Sequence, residues 1–456
     1  MNIQFFRDQT FLRTMLGLAI PVAIQQFLVA GLNMVDVVMV GQLGEASIAA
    51  LGLANQVFFL LVLFLFGVTS GMAVFTAQFW GSRDEQNIRK VLGICLSVAL
   101  SVGLLFTLAA TCFPERVLGL YTPDPEVIAL GSSYLRIVGY SYMFMAVTTS
   151  YFAVLRSMTL VKVTVMVSAV ALVLKTALGY LLIFGVGGLP ALGVRGAAIG
   201  TAVGWVFECL LILALVYILK TPLAVNPISF FHFDRAFLAK VLAVAMPAAA
   251  NEAIWSLGIT FYNAVYARIG TDAIASVQIN ATVEEIAFVF FIGLGNACAI
   301  MIGNKIGEGQ REEAFEYGRR FTILIVAVSI LAGGLILLLR APVVSLYEIS
   351  PQAALNARRL MTIFALTAWI RSINFILFVG ALRAGGDTRF AMFMELFSIW
   401  VIGVPAAVIG GFLLKLPVHG VYLMVLTEEV VKVFIITRRY LSRKWIHDLV
   451  NPQAVT

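Results

Sequence analysis

The chain has 456 residues, 61% of them hydrophobic and only 12% charged, and its mean hydropathy is +0.98. A soluble domain carries about 25% charged residues. This chain therefore cannot cover a water-facing surface, and most of its surface must meet lipid or other helices.

A membrane-crossing helix needs about 20 apolar residues. Twelve such spans can be placed in order, near 14–36, 48–79, 91–112, 132–154, 163–185, 196–219, 241–266, 274–303, 321–339, 360–381, 391–413 and 418–437. Arg7 and Arg13 precede the first without a small-residue cleavage site, so it reads as a retained helix, not a signal peptide. Cys95, Cys112, Cys209 and Cys298 lie within or beside apolar stretches, without paired or metal-ligand spacing. His232, His419 and His447 are scattered, which leaves no HExxH-type centre.

The net charge of +7 is spread in a telling way. Arg83, Arg89 and Lys90 follow the second span, Lys220, Arg235 and Lys240 follow the sixth, and Arg438, Arg439, Arg443 and Lys444 follow the twelfth. This crowding on one side places both termini in the cytoplasm. The basic excess orients the chain and calls for no nucleic acid.

The chain also repeats itself at a constant offset. Pro21 falls on Pro247, Gly44 on Gly270, Gly67 on Gly293, Gly81 on Gly307 and Pro125 on Pro351. After a slip of one residue, Leu155-Arg156 meets Leu382-Arg383 and Gly193-Val194 meets Gly420-Val421. Six spans per half is an even number, so both halves enter from the same side as parallel repeats. The expected organisation is a six-helix lobe over 1–220, a cytoplasmic linker over 221–240, and a second six-helix lobe with a basic tail over 241–456. Pro21 and Pro247 each remove a backbone bond early in a span, and such matched interruptions favour a transporter over a channel.

Several segments resemble the multidrug and toxic compound extrusion (MATE) family. They are MVDVVMVGQLG at Met34–Gly44, IAALG at Ile48–Gly52, AQFWGSRD at Ala77–Asp84, MPAAANEAIWSLG at Met246–Gly258, MIGNKIGEG at Met301–Gly309 and LRAGGDT at Leu382–Thr388. They run in the family's order, and Glu252 points to the bacterial NorM-like branch. The resemblance implies an all-α membrane protein of twelve transmembrane helices in two pseudo-twofold-related six-helix bundles forming a V. It implies export of organic cations from the inner membrane by antiport with H⁺ or Na⁺, coupled at Asp36.

Ionisable residues deep within spans carry the chemistry. Asp36 lies about 12 Å below the outer surface and Glu252 about 18 Å deep, at 1.5 Å per residue. The acids Asp36, Glu208, Glu252, Glu284, Glu285, Glu428 and Glu429 outnumber the bases Lys175, Arg371 and Lys432. Each such charge costs about 2.5–3.5 kcal/mol at a helix centre, so it needs a partner or a function. Excess acid suits a cationic substrate or coupling ion. The candidate ion-coupling and substrate-binding set is Asp36, Glu252, Glu284, Lys175 and Arg371 with the neutral Asn33, Asn251, Gln278, Asn280 and Asn374. Glu284 and Glu285 point about 100° apart, so at most one faces a cleft directly. Glu428, Glu429 and Lys432 have the spacing of a local helical pair. Tyr140, Trp255 and Tyr262 are candidate cleft aromatics, since flat cations stack on such rings.

Two positions depart from the family pattern. VLKTALGY puts Lys175 where family members carry asparagine, and the expected pairing is with Asp36 as a tethered cation. Arg371 stands beside Ser372, where NorM-type sites have an aspartate, and is expected to pair with Glu252. The GGDT turn at Gly385–Thr388 lacks the strand and Lys-Ser/Thr of a phosphate loop, which argues against ATP. The leading expectation is a monomeric, cofactor-free antiporter. The rivals are a lipid-linked flippase, whose cleft should be basic, and less favourably a channel. No nucleophile–base pair or metal triad suggests an enzyme.

Overall fold

A computed structural model describes residues 8–450; Arg7 lies outside them. The described residues are almost wholly helical. In chain order the helices are α1 (Gln9–Gly41), α2 (Glu45–Gly81), α3 (Glu85–Cys112), α4 (Pro114–Gly119), α5 (Pro125–Gly139), α6 (Tyr142–Ser157), α7 (Val161–Phe184) and α8 (Val194–Ile218). There follow α9 (Arg235–Ile269), α10 (Thr271–Gly307), α11 (Arg311–Val344), α12 (Pro351–Phe375), α13 (Thr388–Leu396), α14 (Val404–Val408) and α15 (Val418–Leu441). Stretches of π-helix at Ile376–Leu382, Phe397–Gly403 and Ile409–Leu413 prolong α12, α13 and α14.

Ten helical stretches among the described residues are long and apolar enough to cross a membrane. The pair α5 and α6 supplies one more span, bent by 52°. The span expected over 132–154 is thus broken, and the break falls where Gly139 and Ser141 sit close together, a usual cause of a kink. Thr107 Oγ1 donates to Gly139 O at 2.9 Å, meeting a carbonyl freed by the break. Helix α15 completes the twelve spans and carries Glu428, Glu429 and Lys432. Cys95, Cys209 and Cys298 are buried, while Cys112 is exposed at the end of α3.

Local sequence rules set the helix ends. Repeat-related Pro125 and Pro351 both stand in the first turn of their helices, where proline gives up no bond. Asp124 and Ser350 cap the two starts by accepting from backbone N–H groups. Gly185 closes α7 in the left-handed conformation at φ +71°.

The chain forms two compact units. One joins Ile24–Thr76 and Asp84–Ala245; the other joins residues 8–23, 77–83 and 246–450. The linker over 221–240 belongs to the first, where Phe230 is fully buried and its backbone lies against Gly93. The core of this unit gathers Leu61, Leu135, Tyr142 and Ile183. In the second unit one core surrounds Val421, Tyr262 and Ile399, and another surrounds Phe364 and Met361.

Within the second unit the ends of α2 and α10 meet at matched positions. A side chain on Gly81 would strike the backbone of Asn304, and one on Gly307 would strike the backbone of Gln78, the repeat counterpart of Asn304. The same unit holds the tail after α15. Trp445 is fully buried against Gly385, and Gln78 binds both His447 O and Leu449 N. Asp387 receives Arg439 Nε at 2.7 Å, with His447 Nε2 at 3.7 Å. Burial pushes the Asp387 carboxyl up, but the His447 and Arg439 contacts more than offset this and hold it below the usual value.

Two outcomes follow. Gly307→Ala should lower the thermal stability of the detergent-purified protein by about 1–3 kcal/mol, the cost of overpacking, because a backbone oxygen cannot swing aside. A carboxyl held low stabilises the fold above its unfolded value of 3.8 and loses that contribution as pH falls through its folded value. Asp387→Asn should therefore lower the melting temperature at pH 7, and the gap to the wild type should close on acidification below about pH 4.

Candidate functional site: charges held within the spans

In the first unit, Asp36 on α1 meets Lys175 on α7, with Nζ 2.7 Å from Oδ2. The room for this lysine comes from α8. A methyl group on Gly204 would stand 2.7 Å from Lys175 Cβ, so the bare glycine seats the stem. Tyr134 on α5 lies beside Thr201 of α8 and within electrostatic reach of Asp36. Glu208 on α8 lies beside Ser168, within reach of Arg156 and Lys175. Arg156 Nη2 donates to Gln25 Oε1 at 2.8 Å. Asn33 is exposed on α1, one turn before Asp36.

The second unit holds a larger network. Glu284 on α10 meets Arg371 Nη1 of α12 at 2.7 Å, and also accepts from Asn280 Nδ2 at 2.6 Å and Tyr422 Oη at 2.5 Å. The Arg371 guanidinium lies over the rings of Tyr422 and Phe364. Glu252 on α9 meets Arg383 Nη2 at 2.8 Å. Asn374 Nδ2 donates to Glu429 Oε2 at 2.6 Å, and Tyr262 donates to Glu428. Lys432 reaches Glu395 at 3.4 Å. Asn251 is buried beside Glu252, whereas Gln278 is exposed and outside the network.

The geometry corrects three expectations. Arg371 does not pair with Glu252; it pairs with Glu284 on the neighbouring helix α10. Arg371 and Arg383 lie about 18 Å apart along one span at 1.5 Å per residue, so they reach different acids. Lys432 does not pair with Glu428 on its own helix, because Tyr262 takes that acid and Glu395 comes in from α13. Tyr262 is buried as a donor and presents no open ring; Gly403 leaves the space its bond requires. Tyr140 and Trp255 are exposed, at 68% and 41%.

Two participants escaped the sequence reading. Glu395 was a visible acid within the eleventh span. Arg383 follows the tenth apolar stretch and reads as a flanking charge, yet it is 3% exposed; its match to Arg156 in the repeat is the signal. Conversely, Glu284 is wholly engaged, while its neighbour Glu285 is exposed, and among the described residues no ion pair reaches it.

Comparison with known proteins identifies the family and the fold. The MatE family model matches residues 21–181 and 247–409, one stretch in each half of the chain. The chain belongs to the MatE family of multidrug efflux transporters, in its bacterial NorM-like branch. It is 25% identical over 445 residues to the transporter YisQ of Bacillus subtilis, covering 96% of both chains. It is 23% identical over 448 residues to NorM of Thermotoga maritima, covering 95% of this chain and 93% of that one. Among solved structures, an outward-facing multidrug resistance MATE family transporter of the MOP superfamily matches with a TM-score of 0.86 at 19% identity, covering 94% of this chain and 96% of that one. The MATE fold is thereby shared, and the protein is an integral membrane transporter.

The pairing of Glu284 with Arg371 has a measurable signature. Arg371→Met should destabilise the protein by about 3–5 kcal/mol, because it strands a buried carboxylate. Adding Glu284→Gln should recover most of that loss in a thermal unfolding series, since the stranded charge is gone.

Proposed function

We propose that the chain is a secondary-active antiporter that exports amphiphilic organic cations in exchange for H⁺ or Na⁺ by alternating access. It works as a monomer in a bacterial inner membrane, with both termini in the cytoplasm and no cofactor. The observation that carries this reading is the acid excess within the spans. Asp36, Glu252, Glu284 and Glu395 each meet a base, yet Glu208, Glu285, Glu428 and Glu429 add further carboxyl groups.

An exposed carboxylate in mid-span belongs against a water-filled cavity, since hydrocarbon cannot solvate it. On this reading Glu285 attracts a cation there and Trp255 on α9 offers it a ring face; the exposure of both residues supports this. Antiport requires that the coupling ion and the substrate disfavour each other's binding, and competition for carboxylates meets that condition. A flippase for anionic lipid-linked substrates would need basic residues left free of acids; here Lys175, Arg371, Arg383 and Lys432 all meet acids.

Ethidium efflux from proteoliposomes, with ΔpH and a Na⁺ gradient imposed separately, tests the reading. Gradient-driven efflux is expected, and Asp36→Asn should reduce it at least tenfold. A folded wild-type protein that moves no cation under either gradient would overturn the proposal.

A further inference from the structure

The Asp36–Lys175 pair has a prepared place in the fold. Gly204 seats the lysine stem, and Gly200 lets α8 close onto the backbone of α7 at Gly179 and the Lys175 carbonyl. The side chains are 22% and 13% exposed, so the charges are largely shielded from solvent. The titratable groups facing them from neighbouring helices are Tyr134 on α5 and Glu208 on α8, with Arg156 on α6 beyond Glu208.

We propose that Lys175 is a built-in cation that keeps Na⁺ from Asp36 and makes the proton the coupling ion at this carboxylate. The proposal rests on the antiport reading and narrows its ion. With Asp36 ionised, the ammonium lies 2.7 Å from Oδ2 and the pair is neutral. A metal cation joining it would stand against the ammonium where low dielectric strengthens repulsion. A proton feels the same repulsion, but it needs a single oxygen and no coordination shell, and a covalent O–H bond offsets the cost. The proton passes from hydronium to a carboxylate oxygen of Asp36, an O–H bond forms, and water is left behind. Lys175 keeps its charge, so the local net charge rises from zero to one positive unit. A cationic substrate nearby is then repelled, and proton and substrate exclude each other. Gly204 belongs to the device, because a larger residue there would displace the lysine stem.

The test uses the full-length protein and the variants Asp36→Asn, Lys175→Gln and Asp36→Asn/Lys175→Gln. The first readout is the melting temperature at pH 8 with NaCl, against choline chloride at equal ionic strength. Wild type and Asp36→Asn are expected to respond to Na⁺ alike. Lys175→Gln is expected to gain Na⁺-dependent stabilisation that the double variant lacks. A Na⁺ response of the wild type that Asp36→Asn abolishes would overturn the proposal, as would a Lys175→Gln variant that responds no more than the double variant. Should Lys175→Gln fail to fold, the comparison of wild type with Asp36→Asn decides.

The second readout is ethidium efflux driven by ΔpH. Lys175→Gln should lose at least tenfold, while Lys175→Arg keeps at least half; unchanged efflux in Lys175→Gln would overturn the proposal. Absence of wild-type efflux under both gradients would count against the antiport reading alone, because the Na⁺ titration needs no transport.

Discussion

A charge carried into a bilayer must find a counter-charge within its own fold, and that constraint organises this molecule. Each isolated charge costs a few kcal/mol at mid-span. Breaking a buried pair costs more than the pair contributes, because the survivor is left desolvated. Asp36 with Lys175, Glu284 with Arg371, Glu252 with Arg383 and Glu395 with Lys432 are therefore mutual conditions for insertion. Helices that carry such partners must pack in one register, so the pairs specify helix placement in an environment where apolar burial discriminates weakly.

Small residues make that register possible. Gly204 seats the stem of Lys175, Gly403 leaves space for the Tyr262–Glu428 bond, and Gly81 and Gly307 let α2 and α10 touch backbone to backbone. At each place the absent side chain determines which polar groups can meet. A single span presents Arg371 to α10 and Arg383 to α9, with a π-helical stretch at Ile376–Leu382 between them.

Spans, repeat and family were legible in the sequence because they rest on patterns that no local packing overrides. Twelve apolar stretches, matched Pro125 and Pro351, and ordered motifs all survive comparison with the structure. The Asp36–Lys175 contact was legible too, since Lys175 was the one base placed in the first six spans and only Asp36 and Glu208 stood there to receive it. Arg371 was not. Several acids in the second half could have received it, and the packing of α12 against α10 decided the partner. The docked tail was also hidden: Trp445 reads as one aromatic in a basic tail until Gly385 and Tyr440 enclose it. The broken span at Gly139 lay inside an unbroken apolar run, where hydropathy cannot see a bend.

The repeat also shows how two halves of one ancestry diverge in chemistry. Asp36 corresponds to Tyr262, and Thr201 corresponds to Glu428. In the first unit the acid sits on α1 and the hydroxyl on α8. In the second the hydroxyl sits on α9 and the acid on α15, bonded to each other. Acid and hydroxyl have thus exchanged helices at matched positions. The consequence lies in the partner: Asp36 is answered by a full charge, Glu428 by a neutral donor. A proton added to Asp36 uncovers the charge of Lys175, whereas a proton added to Glu428 uncovers none at Tyr262. At this matched position only the first unit sets a full charge directly against its acid, through one lysine seated on a glycine.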